Sequence, residues 1–114
     1  MSETIEYYRV TFDKSCPGWT DNRETNLFYL LATQHYFNNK LRSDGRIYLC
    51  EIFEHLGIPV TDASWLCGWL HLSDGVRDDY IDFGIFEHIR NKDTNDPNIA
   101  LEFNVDGVIR YTTI

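Results

Sequence analysis

The sequence NRETNLFYLLATQHYFNNKLR, residues 22–42, predicts one long helix against which the rest of the chain packs. Asp21 followed by Glu24 resembles a capping box, and Lys40 and Arg42 lie where the negative end of a helix dipole favours cations. At about 100° per residue, the apolar side chains fall into two stripes on opposite sides. The first stripe consists of Leu27, Leu30, Leu31, Phe37 and Leu41. The second consists of Phe28, Tyr29, Ala32 and Tyr36. A helix that is apolar on two sides is either central or lies at an interface.

On either side of this helix, the pattern predicts a strand and two shorter helices. Residues 6–12 alternate in polarity and predict a strand, which the Cys16-Pro17-Gly18 turn follows. The Asp44-Gly45 turn leads to a short amphipathic helix over 49–56, with Gly57 as its C-terminal residue. Thr61 is placed to cap a third helix that runs to about Cys67.

The second half of the chain predicts strands. Residues 69–72 and the alternating Ile81, Phe83 and Ile85 form two of them, around the loop 73–79. Residues 99–105 alternate strictly, and Asp106-Gly107 predicts a hairpin whose second strand is 108–112.

These elements predict a single α+β domain over residues 1–114. Because short turns favour antiparallel pairing, we expect a mainly antiparallel sheet of four to five strands, packed on the long helix, with the two short helices at one end. The expected core side chains are Leu30, Leu31, Phe37, Ile52, Phe53, Leu56, Phe83, Leu101 and Phe103.

The charge of the chain is unevenly distributed. Of 114 residues with net charge −8, residues 1–43 carry five acidic and five basic side chains, and residues 44–106 carry thirteen and four. Such a surface repels a polyanion, so we expect no direct nucleic-acid binding. The longest apolar run, 27–32, is far shorter than the roughly 20 residues of a membrane span. Three cysteines without a secretion signal predict a reducing, cytoplasmic location.

Several groups of residues suggest metal or enzyme chemistry, and each has a simpler interpretation. Soft ligands occur in the set Cys50, His55, Cys67 and His71, but their spacing does not fit a zinc site. Part of a calcium-loop pattern occurs at Asn91, Asp93, Asn95 and Glu102, but Asp96 and Pro97 interrupt it. We therefore expect no cofactor. A cluster of acids remains as the basis for an alternative, a metal-dependent enzyme: Asp74, Asp78, Asp79 and Asp82.

Residues 49–66 have the helix, turn, helix spacing of a DNA-binding motif. That motif favours a small side chain where Phe53 lies, and the second helix offers Asp62 but no arginine or lysine to a groove. A degenerate helix-turn-helix DNA binder stays as an alternative, and a helical corner packed on the sheet is favoured.

The run YLCEIFEHLGIPVTDASWLCGWL, with the later phrases DDYIDFGIFE and IALEFNVDGVI, is similar to a family of small uncharacterised proteins of the DUF6353 kind. The resemblance implies a source in phages and integrated mobile elements of Firmicutes. The resemblance covers about residues 37–112. It implies a mobile-element origin and supplies no catalytic residue.

We therefore expect a non-enzymatic accessory protein that acts by protein-protein interaction in host takeover, anti-defence or morphogenesis. Its aromatic residues suit contacts with a partner or a second copy, and we predict a homodimer. The aromatic contact residues are Phe28, Tyr29 and Tyr36. The excess of acidic side chains in residues 44–106 predicts that they keep the protein soluble. A more specific hypothesis is that they mimic nucleic-acid phosphates and bind a basic nucleic-acid-binding host protein. The contact residues for that partner are Asp74, Asp78, Asp79, Asp82 and Glu87.

Overall fold

The computed structural model describes residues 9–71 and 80–109. The first helix, α1, spans Arg23–Asp44. Its N-cap is Asn22, whose side-chain oxygen accepts a hydrogen bond of 2.8 Å from the Thr25 N–H, so Asp21 is not the cap. The helix ends at Gly45, where φ is 88° and the N–H donates to the Leu41 carbonyl. This left-handed conformation favours glycine, because it carries no Cβ.

A two-stranded antiparallel sheet joins the two ends of the described chain. Strand β1, Arg9–Phe12, pairs with β4, Ile99–Glu102. In this register Val10 lies opposite Leu101, and Phe12 lies opposite Ile99. Phe12, Ile99 and Leu101 are buried, whereas Arg9 and Glu102 are exposed. The sheet therefore turns one face to the core and one to solvent.

A second antiparallel sheet contains β2, Arg46–Tyr48, then β3, Cys67–Leu70, and the two-residue β5, Gly107–Val108. Ile47 lies opposite Trp69, and both are fully buried. Gly68 lies opposite Tyr48, and a Cβ atom there would sit 2.0 Å from the Ile47 carbonyl oxygen. The close approach of β2 and β3 thus requires glycine at this position.

The predicted helical corner is confirmed. Helix α2 spans Leu49–Leu56 and α3 spans Asp62–Leu66, and both pack on β2 and β3. Gly57, with φ of 80°, ends α2 as expected. The Thr61 hydroxyl accepts a 3.2 Å hydrogen bond from the Ser64 N–H and caps α3.

The α+β class and the single long helix are confirmed, but the expected sheet of four to five strands is wrong. The predicted hairpin at Asp106-Gly107 is wrong as well, because β4 and β5 pair within different sheets. The Asp106 N–H donates to the Gly68 carbonyl at 2.8 Å, and its carboxylate accepts from the Leu70 N–H at 3.0 Å. Asp106 therefore joins the chain to β3 instead of turning it back on β4.

The predicted strand around Ile81, Phe83 and Ile85 is also wrong in its pairing, although its burial pattern is right. These three side chains are buried, while Asp82 and Gly84 are partly exposed. The segment 80–85 belongs to neither sheet, and a short helix, α4, follows at Phe86–Arg90. Side chains of α1 supply four hydrogen bonds to the segment 80–83, as described below.

The core lies between α1, α2 and the two sheets. All but one of the nine predicted core side chains are buried there. The exception is Leu31, which is only half-buried at the edge of α1. The largest side chains that the prediction omitted are Trp69 and Phe12, both fully buried.

Candidate protein-interaction surface

One side of α1 is exposed along its length and carries aromatic side chains. We name this side the aromatic face, and it consists of Thr25, Phe28, Ala32, His35, Tyr36 and Asn39, all exposed. Phe28 is 76% exposed and Tyr36 is 51% exposed. Because residues three and four apart are neighbours on a helix, these side chains form one continuous stripe. Two of the three predicted aromatic contact residues are therefore accessible together.

Tyr29, the third predicted contact residue, belongs to a different contact. Its ring stacks on Phe12 with 5.7 Å between centroids. A Cβ atom at Gly18 would lie 2.6 Å from this ring, so the Cys16-Pro17-Gly18 turn also closes over it. Tyr29 therefore packs the first turn and β1 against α1, and its contact with a partner stays a prediction.

Tyr36 is held in place by its neighbours. Its ring stacks on His55 of α2 at 5.6 Å between centroids and meets Phe37 edge to face at 5.0 Å. His55 in turn meets Phe37 at 5.3 Å. A ring with two such contacts loses little conformational entropy when a partner covers it.

Two open grooves flank Phe28. One, of about 600 Å³, lies between α1 and Tyr80 and is lined by Leu31, Ala32, His35 and Arg42 among others. The second, of about 650 Å³, lies toward Ile89 and Lys92. None of the residues that line the first groove is acidic, although the chain as a whole has net charge −8.

The opposite side of α1 positions Tyr80, and sequence reasoning missed it. We name this side the amide face, and it consists of Asn26, Gln34 and Asn38, all buried. The Asn38 side chain exchanges two hydrogen bonds with the Ile81 backbone, at 2.9 Å to its carbonyl and 2.8 Å from its N–H. Gln34 accepts from the Phe83 N–H and donates to the Tyr80 hydroxyl, both at 2.8 Å. The segment 80–83 thus pairs with a helix through side-chain amides.

Asn104 completes the support of this segment from the other side. Its side chain donates to the Tyr80 carbonyl and accepts from the Asp82 N–H, each at 2.8 Å, and it accepts from the Trp69 indole at 3.0 Å. A signal for the amide face was present in the sequence. Asn26, Gln34 and Asn38 share the side of the helix that carries Leu30 and Leu41, and amides within an apolar stripe are typical of buried hydrogen bonding.

The predicted acidic contact residues are only partly described. Asp74, Asp78 and Asp79 lie outside the described residues. Asp82 and Glu87 line the same open cleft of about 600 Å³, together with Glu102, Arg9 and Phe86. Arg9 pairs with Glu102 at 2.8 Å, and one Asp82 oxygen accepts from the Gly84 N–H at 2.8 Å. Glu87 and Phe86 are exposed, so this cleft presents the Glu87 carboxylate beside an aromatic ring.

The other groups of candidate ligands serve local structure. Within residues 9–71 and 80–109, no three His, Cys, Asp or Glu side chains are placed to hold a metal ion. Among the residues that match part of a calcium-loop pattern, the Asn91 side chain accepts a hydrogen bond from the Asp93 N–H, and Glu102 forms an ion pair with Arg9. The three cysteines are buried and form no disulfide. None of the described helices has the length and apolar content needed to cross a membrane.

Comparison with known proteins identifies a family. The chain belongs to DUF6353, a family of unknown function, whose family model matches residues 1–112. The match therefore extends beyond the expected residues 37–112 and includes β1 and the whole of α1. No curated protein and no solved structure matches the chain significantly.

Proposed function

We propose that this member of the DUF6353 family is a non-enzymatic accessory protein of a phage or mobile element, and that it works in the bacterial cytoplasm by binding protein through the aromatic face of α1. The observation that carries the proposal is the exposure of Phe28, at 76%, beside a partly fixed Tyr36. Large apolar side chains that share one exposed stripe are typical of protein interfaces.

The surroundings of Phe28 favour a protein partner over a small substrate. Small-molecule sites are concave and enclose most of their ligand, whereas both grooves beside Phe28 are open to solvent. A ridge with a groove on each side suits a helix or loop of another protein, which inserts apolar side chains on both sides. The polar ends of the face, Thr25 and Asn39, fit the polar rim of such an interface.

The buried amide face supports the same use of α1. It fixes the helix through Gln34 and Asn38, so the aromatic face on the other side is presented on a rigid element. A rigid, exposed aromatic stripe binds with less ordering cost than a flexible loop. A cytoplasmic location is consistent with three buried cysteines that form no disulfide, which a reducing compartment favours.

The test is photo-crosslinking in the native bacterial host, with p-benzoylphenylalanine in place of Phe28. Phe86 is 53% exposed and lies in the cleft lined by Asp82, Glu87 and Glu102, which we name the acidic cleft; it is the matched control position. Discrete protein adducts from position 28, and none from position 86, are the expected result. An absence of adducts from position 28 would count against the proposed function.

A second candidate partner is a basic protein that binds at the acidic cleft. The observation in its favour is that Glu87 and Phe86 are exposed side by side, with Asp82 and Glu102 in the same cleft wall. Such binding would weaken steeply with salt and would be lost in Glu87→Lys. Adducts from position 86 that disappear in Glu87→Lys would favour this candidate over the aromatic face.

A further inference from the structure

The exposed residues of α1 are arranged so that the helix is complementary to itself when it is reversed. Ala32 lies at the centre of the aromatic face, with Phe28 one turn before it and Tyr36 one turn after it. Thr25 and Asn39 lie seven residues to either side of Ala32. In an antiparallel copy related by a twofold axis at Ala32, Phe28 of one helix would therefore lie level with Tyr36 of the other. Thr25 would lie level with Asn39 in the same way.

The charges follow the same arrangement. Glu24 and Arg42 are both exposed and lie eighteen residues apart, which is about five turns, so they share one edge of the helix. They lie at about equal distances from Ala32, in opposite directions along the axis. In a reversed copy, Glu24 therefore meets Arg42 of the second copy, and the pair occurs twice.

The same geometry places aromatic against aromatic. Phe28 and His35 are seven residues apart, so they also share one edge of the helix. Phe28 would therefore pack on His35 of the second copy, and Tyr36 of that copy would lie on the other edge of the interface. The centre of the face carries no acidic side chain, which matters because a chain of net charge −8 otherwise repels its own copies.

Ala32 permits the close approach that this arrangement needs. With a methyl group at the axis, two helices can pack at about 8 to 10 Å between their axes. At that separation the Cα atoms of the two Ala32 residues would lie within about 6 Å, which is within reach of a disulfide between cysteines placed there.

We infer that the first occupant of the aromatic face is a second copy of this chain, in an antiparallel α1 to α1 homodimer with its twofold axis at Ala32. The inference rests on the proposed function, because it uses the same face, and it names the partner. The Phe28 ridge of each copy then fills the groove beside Tyr80 of the other. In this arrangement the apolar side chains that line this groove, such as Leu31 and Phe28, are shielded from water.

Cysteine crosslinking tests the axis directly. Ala32→Cys should form an interchain disulfide under mild oxidation, whereas Thr25→Cys should not, because two copies of position 25 would lie about 20 Å apart. Light scattering of the purified wild-type chain should give about twice 13.4 kDa. A mass of 13.4 kDa at high micromolar concentration, or equal crosslinking of the two cysteine variants, would overturn the inference.

Charge reversal tests the pairing independently. Glu24→Arg and Arg42→Glu should each weaken the dimer by about tenfold or more, because each places like charges together twice. The double variant should restore the wild-type affinity, and a failure of this restoration would overturn the antiparallel pairing. Phe28→Glu should weaken the dimer by about a hundredfold.

The outcome for the dimer can be told apart from the outcome for the proposed function. A purified chain that is monomeric, while position 28 still crosslinks to another protein in the host, would overturn the inference and leave the function supported. Adducts from position 28 that contain two copies of this chain would support the inference. Monomer in solution together with no adducts in the host would overturn both.

Discussion

The two sides of α1 show opposite relations between polarity and burial. The amide face is polar and buried, and its side chains replace a neighbouring strand for the segment 80–83. The aromatic face is rich in apolar atoms and exposed. The buried side of α1 combines the apolar Leu30 and Leu41 with amides, and the difference teaches that hydrogen bonds to a distant backbone segment allow polar side chains to be buried on this helix.

The largest effect expected from the loss of a polar contact comes from breaking the amide face at Asn38. Asn38→Leu keeps a similar volume but leaves the N–H and carbonyl of Ile81 buried without their side-chain partner. The free energy of unfolding should fall by about 2 to 5 kcal/mol, since each buried unsatisfied group costs about 1 to 3 kcal/mol. Urea denaturation, monitored by fluorescence at sub-micromolar concentration, measures this change.

The adjacent exposed amide provides the control. Asn39→Leu makes the same chemical change on the aromatic face and should alter the free energy of unfolding by less than about 0.5 kcal/mol. Equal losses in the two variants would contradict the distinction between the faces.

A smaller loss is expected at Gln34. Gln34→Leu removes the acceptor for the Phe83 N–H and the donor to the Tyr80 hydroxyl, and it should cost about 1 to 3 kcal/mol in urea denaturation. Tyr80→Phe removes only the hydroxyl of a partly exposed ring and should cost less than about 1 kcal/mol. If Tyr80→Phe cost as much as Gln34→Leu, the Phe83 contact would not carry the stabilisation.

Truncation of the aromatic face should barely affect folding. Phe28→Ala is expected to change the free energy of unfolding by less than about 0.5 kcal/mol in dilute solution, because the ring is 76% exposed. Phe37→Ala, one residue beyond Tyr36 and 2% exposed, should cost about 3 to 5 kcal/mol. A large loss in Phe28→Ala would mean that this ring supports the fold and is not kept for a partner.

The smallest effect is expected where α1 ends, at a polar pair on the surface. The hydrogen bond from Lys40 lowers the pKa of Asp44 below 3.8, and the same bond raises the pKa of Lys40 above 10.5. The contribution of Asp44 is present above its ordinary pKa and is lost as the pH falls through its lowered pKa. The contribution of Lys40 is lost as the pH rises through its raised pKa.

The lowered pKa of Asp44 predicts that the effect of Lys40→Ala on stability depends on pH. The variant should lower the Tm by roughly a degree at pH 7 and by less at pH 2, because the Asp44 carboxylate is lost as the pH falls through its lowered pKa. Thermal unfolding at the two pH values measures it. A larger decrease at pH 2 than at pH 7 would contradict the assignment to Asp44.

The elements with local causes were predictable from sequence. The apolar period of α1, Gly57 after α2 and the Thr61 cap act within a few residues, and all were found where they were predicted. Sequence also identified Phe28 and Tyr36 as a stripe separate from the leucines. It could not show which stripe was covered, because that depends on where the 80–85 segment runs.

The errors have a common physical reason. Alternation at Ile81 and Phe83 reports which side chains are buried, but not whether a strand or an amide side chain satisfies the backbone between them. Asp106-Gly107 is compatible with a tight turn, but the hydrogen bonds that Asp106 makes to β3 pair this part of the chain with β3 instead of with β4. Long-range partners, which no local pattern encodes, decided both cases.

The amide face also sets the order in which the chain can fold. The bonds from Asn38 to Ile81 and from Gln34 to Phe83 join residues 43 and 49 positions apart, and Asn26 reaches Pro97 over 71 positions. During synthesis, α1 leaves the ribosome well before these partners exist, and its buried side has nothing to pair with. An N-terminal half released by a premature stop should therefore bind chaperones and be degraded, whereas the complete chain escapes both.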